Sequence, residues 1–243
     1  MSDWQRHSEN LIRSLAPEDF GSSPVYIVGK SEAGELYRDF HAYAFTTHGL
    51  DLLLKPVLIQ SKRWRGRGGA VVVHDELLQK RDGRDFGPAL QGVLLHEASH
   101  LISDIGVVSD PVIPESLPEI REGIAAAVST PTDKRIPPTY WHNLKWLRCL
   151  LHLYWRALFC GHEVTLESLG IPFIPRNYPE MACILAGHVE QEATEKQHIP
   201  LSEILANPGP IELDALWIGY ILPFCEGASH GYRYEEERKC HPG

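Results

Sequence analysis

The sequence has no long apolar run and few cysteines, which argues against a membrane span and a disulfide framework. Its nearest apolar stretch, residues 50–59, is interrupted by Asp51, Lys55 and Pro56, whereas a bilayer span needs roughly 20 apolar residues. The cysteines are odd in number and widely spaced, without a CxxC pair: Cys149, Cys160, Cys183, Cys225 and Cys240. No export signal is visible at the polar start of the chain. We therefore expect a cytoplasmic protein with reduced thiols and no membrane partner.

Positive charge is also scarce. The 23 basic residues are outnumbered by 32 acidic ones, for a formal net charge of −9, so the chain repels phosphate backbones. The one basic cluster, SKRWRGRGG at residues 61–69, superficially suggests nucleic-acid binding because Trp64 lies among its cations. We interpret it instead as a solvated loop or a patch for an acidic protein partner, and we expect no nucleic-acid partner.

What is present is an ordinary globular composition over 243 residues, with 43% hydrophobic content. Periodicity and Gly/Pro punctuation predict an α+β fold with a small mixed sheet. We expect one two-lobed domain, with an α/β lobe over residues 1–108 and a helical lobe over 109–243. The predicted strands are residues 25–29, 50–59 and 70–74, and the predicted helices are residues 3–15, 88–105, 116–128, 141–160, 179–198 and 211–221.

The most informative motif lies on the helix that begins at Pro88. The segment VLLHEASHLI contains an HExxH pattern, with His96 and His100 four residues apart and Glu97 between them. Residues four apart share one helical face, so the two imidazoles can bind one metal ion. Glu97 lies about 100° further round the helix, where its carboxylate can take a proton from an activated water. The motif therefore predicts metal-dependent hydrolysis.

A third ligand must come from elsewhere, because catalytic zinc usually has three protein ligands. Asp104 is better placed to accept a hydrogen bond from a ligand imidazole. Glu119 is expected to form a capping box with Ser116 at the start of the next helix. Glu122 has no capping role and has small neighbours, so it is the favoured third ligand. His142 is the alternative.

HEASH followed by EGIAAAV at residues 122–128 resembles the gluzincin branch of the HExxH metallopeptidases. The resemblance covers about 35 residues. It implies a zincin-like fold and a Zn²⁺ ion bound by His96, His100 and Glu122. It also implies that Glu97 is the general base.

Several residues around this motif have two interpretations. His142, Lys145, Cys149, His152 and Arg156 form a polar stripe on one predicted helix, which is either a solvated face or a lining of the active-site cleft. In the second case His142, together with Tyr140, could stabilise the oxyanion of the reaction. His230, Tyr232 and Tyr234 could supply the same donor, although such a polar tail is more often surface.

The strand at residues 70–74 also has two interpretations. As an edge strand it could pair with a substrate backbone; otherwise it is a buried strand.

Together these patterns predict a zinc-dependent metallopeptidase that hydrolyses a peptide or protein substrate. Two alternatives stay open. One is a non-catalytic scaffold whose helices are held together by the metal, and the other is a zinc hydrolase of a non-peptide amide. The sequence does not indicate an oligomeric state.

Overall fold

The computed structural model describes residues 1–21, 24–34, 44–47, 54–74, 87–103, 142–172, 174 and 179–221. Within these residues the chain is helix-rich and carries one small mixed sheet, an α+β arrangement. The α-helices are α1 (Asp3–Leu15), α2 (Pro17–Phe20), α3 (Lys30–Ala33), α4 (Lys55–Gln60), α5 (Pro88–Ser103), α6 (Leu144–Phe159), α7 (Pro179–Glu195), α8 (Leu201–Ala206) and α9 (Ile211–Leu216). A 3₁₀ turn covers Glu167–Leu169, and a π-helical turn, Trp217–Ile221, follows α9.

The sheet contains β1 (Val25–Gly29), β2 (Ala44–Thr47) and β3 (Gly69–Val73) in the order β1-β3-β2. β3 pairs in parallel with β1, and Val25 lies opposite Gly69. On its other side β3 pairs antiparallel with β2. It is therefore the central strand. Of the two interpretations of residues 70–74, the edge strand that pairs with substrate is wrong, and the buried strand is confirmed.

Both faces of β1 and β3 are buried, which explains why these strands are almost continuously apolar. Side chains alternate across the sheet. Ile27 and Val71 face a large core formed with α1, α5 and α6. Val28 and Val72 face a smaller cluster that includes Leu58 of α4.

The predicted strand at residues 50–59 is wrong where the structure describes it, because residues 55–60 form α4. Pro56 lies in the first turn of this helix, where its missing N–H leaves no hydrogen bond unmade. Leu54 and Leu58 are four residues apart and both are buried, so the apolar pattern follows a helical face.

The main helices agree with their predicted positions. α1 matches the prediction for residues 3–15, and α5 begins at Pro88 as expected. α6 begins later than predicted because Asn143 caps it, its side chain accepting a hydrogen bond from the Trp146 backbone N–H at 3.1 Å. The predicted helix at residues 116–128 lies outside the described residues.

One buried apolar cluster includes side chains from β1, α5, α6, α7 and α9, so the sheet and the later helices share a core. The predicted lobe boundary at residues 108/109 falls outside the described residues and stays a prediction. No described helix combines the length and the apolar character needed to cross a membrane.

Candidate metal centre

The HExxH motif lies on the buried helix α5, between the sheet and α6. Leu90, Leu94, Ala98 and Leu101 are buried on this helix as predicted. His96 and His100 project on one side of it, with ring centroids 5.2 Å apart. The helix thus supplies two imidazoles at the spacing that its geometry predicts.

His142 joins this pair from the segment just before α6. Its ring centroid lies 5.1 Å from that of His96 and 4.9 Å from that of His100. One ligand atom from each of the three histidines lies within 4.8 Å of the other two. Among the described residues, these three histidines are the one group of three or more His, Cys, Asp or Glu side chains close enough to share one ion.

One pair of nitrogens in the cluster has the spacing of metal ligands. His96 Nε2 and His142 Nε2 are 3.2 Å apart. Two bonds of about 2.0–2.1 Å that meet at a tetrahedral metal place their nitrogens roughly 3.3 Å apart. This one spacing matches two ligands of a tetrahedral ion, and the three histidines together could hold a metal ion.

The tautomer of His96 also fits a metal ligand. His96 Nδ1 lies 2.8 Å from the carbonyl oxygen of Leu169. A carbonyl oxygen only accepts hydrogen bonds, so Nδ1 carries the proton and donates it. Burial lowers the pKa of His96 to about 4, against the opposing effect of the hydrogen bond to Leu169. The ring is therefore neutral near pH 7, and its Nε2 lone pair faces the other two histidines.

Trp146, in the first turn of α6, holds the three rings together. Its indole is fully buried. The distances from its ring centroid are 4.8 Å to His96, 5.4 Å to His100 and 4.4 Å to His142. This apolar support limits the rotation of the imidazoles and keeps one side of the cluster dry.

Glu97 follows His96 directly on α5 and is only 7% exposed. Burial raises the pKa of this carboxyl group to about 8, because a carboxylate loses hydration when it leaves water. In the metal-free protein this carboxyl group therefore keeps its proton near pH 7.

Other predicted site residues lie outside the described residues: Asp104, Ser116, Glu119, Glu122, Tyr140, His230, Tyr232 and Tyr234. The assignments of Glu122 as a zinc ligand and of Tyr140 as an oxyanion donor therefore stay predictions. The cysteines that the structure describes, Cys149, Cys160 and Cys183, are free thiols as expected.

The polar stripe of α6 is not a solvated face. Lys145 is exposed, but Cys149, His152 and Arg156 are buried. Burial is possible because the polar groups find distant partners. His152 Nε2 donates to Glu192 of α7 at 3.0 Å, and Arg156 donates to three backbone carbonyls, including that of Leu15.

The basic cluster at residues 61–69 is only partly exposed to solvent. Lys62, Arg65 and Arg67 are exposed as expected. Arg63 differs, since its side chain is only 9% exposed and forms an ion pair with Glu9 at 2.6 Å. This cation therefore helps hold α1 against the sheet and is not available to a partner.

Sequence reasoning missed three contributors to the site, namely Trp146, the Leu169 carbonyl and Gly92. Gly92 lies inside α5, where a glycine weakens a helix and often marks a close approach of backbone. That signal was present in the sequence. The Leu169 carbonyl had none, because backbone atoms carry no side-chain identity.

No family model, curated protein or solved structure matches this chain. The assignment of a function therefore depends on the chemistry of the site alone.

Proposed function

We propose that the protein is a zinc-dependent hydrolase of peptide bonds with a zincin-like catalytic fold. The observation that carries the proposal is the convergence of His96, His100 and His142 within 4.8 Å, with Glu97 directly after His96 on α5. Imidazole nitrogens suit zinc, and three protein ligands with an open position are typical of catalytic zinc sites.

Zinc, when bound, supplies a Lewis acid that polarises the scissile carbonyl and activates water. Glu97 accepts a proton from the attacking water and returns it to the leaving amine nitrogen. A bound Zn²⁺ ion would favour the carboxylate form of Glu97 that this step requires, because a nearby cation lowers the pKa of a carboxyl group. Tyr140 stays the predicted donor to the oxyanion.

His142 is the third ligand that the described geometry favours, because its Nε2 lies 3.2 Å from that of His96. This assignment competes with the predicted ligand Glu122. The two proposals differ in which substitution empties the site.

Zinc content after dialysis of folded protein tests the ligand set. We expect His142→Ala to lose most of its zinc, whereas Glu119→Ala and a control on α7, His188→Ala, retain it. Loss in Glu122→Ala with retention in His142→Ala would assign the third position to Glu122. Retention in every variant would refute a site built on these residues.

Activity is tested with a diverse peptide mixture analysed by mass spectrometry. We expect cleavage that a chelator abolishes and added Zn²⁺ restores. Glu97→Gln should keep zinc but lose cleavage, whereas the exposed Glu190→Gln control should keep both. Zinc binding without cleavage of any peptide would favour the scaffold or the non-peptide amide hydrolase, and full turnover in Glu97→Gln would refute the mechanism.

A further inference from the structure

The His96 imidazole is hydrogen-bonded to a backbone carbonyl group of a turn, and this turn packs against α5, the helix that carries His96. We infer that residues 165–170, seated on Gly92, position His96 by fixing its tautomer and ring orientation, and thereby set the affinity for Zn²⁺. The statement about Zn²⁺ rests on the proposed function. The statement about the ring does not.

The turn is built to present one carbonyl group. Thr165 and Ser168 bond reciprocally: the Ser168 N–H donates to the Thr165 hydroxyl at 3.2 Å, and the Thr165 N–H donates to the Ser168 hydroxyl at 3.3 Å. The Ser168 hydroxyl also donates to the Thr165 carbonyl at 2.6 Å. Leu169 is fully buried and anchors the turn in the core. Gly170 then adopts φ 60°, a left-handed conformation that favours glycine. These constraints direct the Leu169 carbonyl at His96 Nδ1.

Gly92 is what allows the turn to come this close. It lies one helical turn before His96 on α5. A Cβ atom placed on Gly92 would lie 2.2 Å from the Ser168 carbonyl oxygen and 2.4 Å from its carbonyl carbon. Backbone atoms cannot rotate out of the way as a long side chain can. Any residue other than glycine at position 92 would therefore force the turn to move away from α5.

The size of that displacement exceeds what the hydrogen bond tolerates. Ordinary contacts between non-bonded heavy atoms are about 3.5 Å, so an added Cβ shifts the turn by roughly 1 Å or more. The distance from His96 Nδ1 to the Leu169 oxygen, now 2.8 Å, would then reach the range where a hydrogen bond is no longer formed. His96 would lose the partner that places its proton on Nδ1.

A ligand imidazole without its hydrogen-bonding partner binds metal less well. Loss of such a partner typically lowers metal affinity about 10- to 100-fold. With the proton free to move to Nε2, part of the His96 population also presents no lone pair to the cluster. We therefore expect Gly92→Ala to weaken Zn²⁺ binding by a factor in that range.

Two variants and two matched controls test the inference in the full-length chain. Gly92→Ala inserts the clash. Gly170→Val, at an exposed position, opposes the left-handed backbone that directs the carbonyl. The controls make the same chemical changes away from His96: Gly187→Ala lies in α7, where an added Cβ meets no atom within 4 Å, and Gly34→Val lies at φ 77° with equally open space.

The first measurement is the His96 tautomer in metal-free protein, from long-range ¹H–¹⁵N correlations of the imidazole ring. The second is the Kd for Zn²⁺ alone, by competition with a chelator of known affinity. We expect a single Nδ1–H tautomer in the wild type and both controls. Gly92→Ala and Gly170→Val should show mixed tautomers and a 10- to 100-fold higher Kd.

A folded Gly92→Ala or Gly170→Val protein that keeps the single tautomer and the wild-type Kd overturns the inference. If Gly92→Ala does not fold, Gly170→Val decides alone. If the wild type binds no Zn²⁺, the proposed function fails, and the tautomer measurement still decides whether the turn positions His96.

Discussion

Replacing Glu192 with glutamine removes the charge from the centre of a buried polar network between α6 and α7. The Glu192 side chain is 10% exposed and its carboxylate accepts hydrogen bonds from three residues. Arg148 donates from Nε at 3.0 Å and from Nη2 at 2.5 Å, His152 donates at 3.0 Å and Lys196 at 2.8 Å. Glutamine keeps one acceptor oxygen and turns an amide NH₂ towards these donors.

The stability lost in Glu192→Gln depends on which of the three hydrogen-bond donors can reach water instead. Lys196 is 35% exposed and can turn to solvent, so its ion pair contributes little. Arg148 is only 5% exposed, and its remaining hydrogen bond, to the Asn207 carbonyl at 2.7 Å, does not neutralise its charge. His152 is fully buried. Leaving a buried cation without its anion costs about 3–5 kcal/mol, and we expect Glu192→Gln to lose stability in that range.

Equilibrium unfolding in urea at neutral pH measures this cost. The neighbouring exposed residue supplies the control, and Glu190→Gln should change the free energy of unfolding by less than about 0.5 kcal/mol. The double variant Arg148→Met/Glu192→Leu removes both charges, so it should be more stable than Glu192→Gln. A Glu192→Gln protein within about 0.5 kcal/mol of wild type would refute the reasoning, as would a double variant less stable than the single one.

The same network predicts a loss of stability in acid. Burial alone would raise the pKa of Glu192, but hydrogen bonds from His152, Arg148 and Lys196 hold it well below its ordinary value of 4.5. The unfolded chain therefore binds this proton more tightly, so unfolding becomes easier as the pH falls below about 4.5. Glu192→Gln should show a shallower decline of stability with pH in that range, and an equal slope would contradict the assignment.

Three further predictions concern the metal and the helices. Zn²⁺ at a hundred times its Kd should add about 2.7 kcal/mol to the free energy of unfolding of the wild type and far less to that of His142→Ala, as denaturant titrations with and without metal would show. Asn143→Ala removes the cap of α6 and should cost about 1 kcal/mol, whereas the exposed Lys145→Ala should be nearly neutral. Gly187→Ala should raise stability by about 0.5–1 kcal/mol, because alanine is the better helix former and space is open there; a lower melting temperature would contradict this.

The elements that the sequence predicts well are those whose signals are local. α1 carries apolar residues at helical spacing, and Pro88 marks the start of α5. β1 and β3 are short β-branched runs next to glycine. In each case the residues that determine the element lie within it, so one sequence is enough.

The errors come from partners that lie far away in sequence. Residues 55–60 form a helix in which Leu54 and Leu58 pack against the sheet. The apolar run alone did not distinguish this helix from a strand. β3 is central because residues 44–47 pair with it. The HExxH pair was predictable from its spacing, but the approach of His142, 46 residues after His96, depends on how α6 packs on α5.

The polar residues of α6 restrict that packing to one arrangement. Apolar helix faces can slide or rotate against each other at modest cost, whereas a buried polar group that loses its partner is expensive. Arg148 is bound to Glu192 on α7, and Arg156 is bound to carbonyls at the end of α1 and after α7. A shift of α6 by one residue would break both sets of bonds together. Because His142 immediately precedes the cap of α6, the network that fixes this register also fixes where the third imidazole meets His96 and His100.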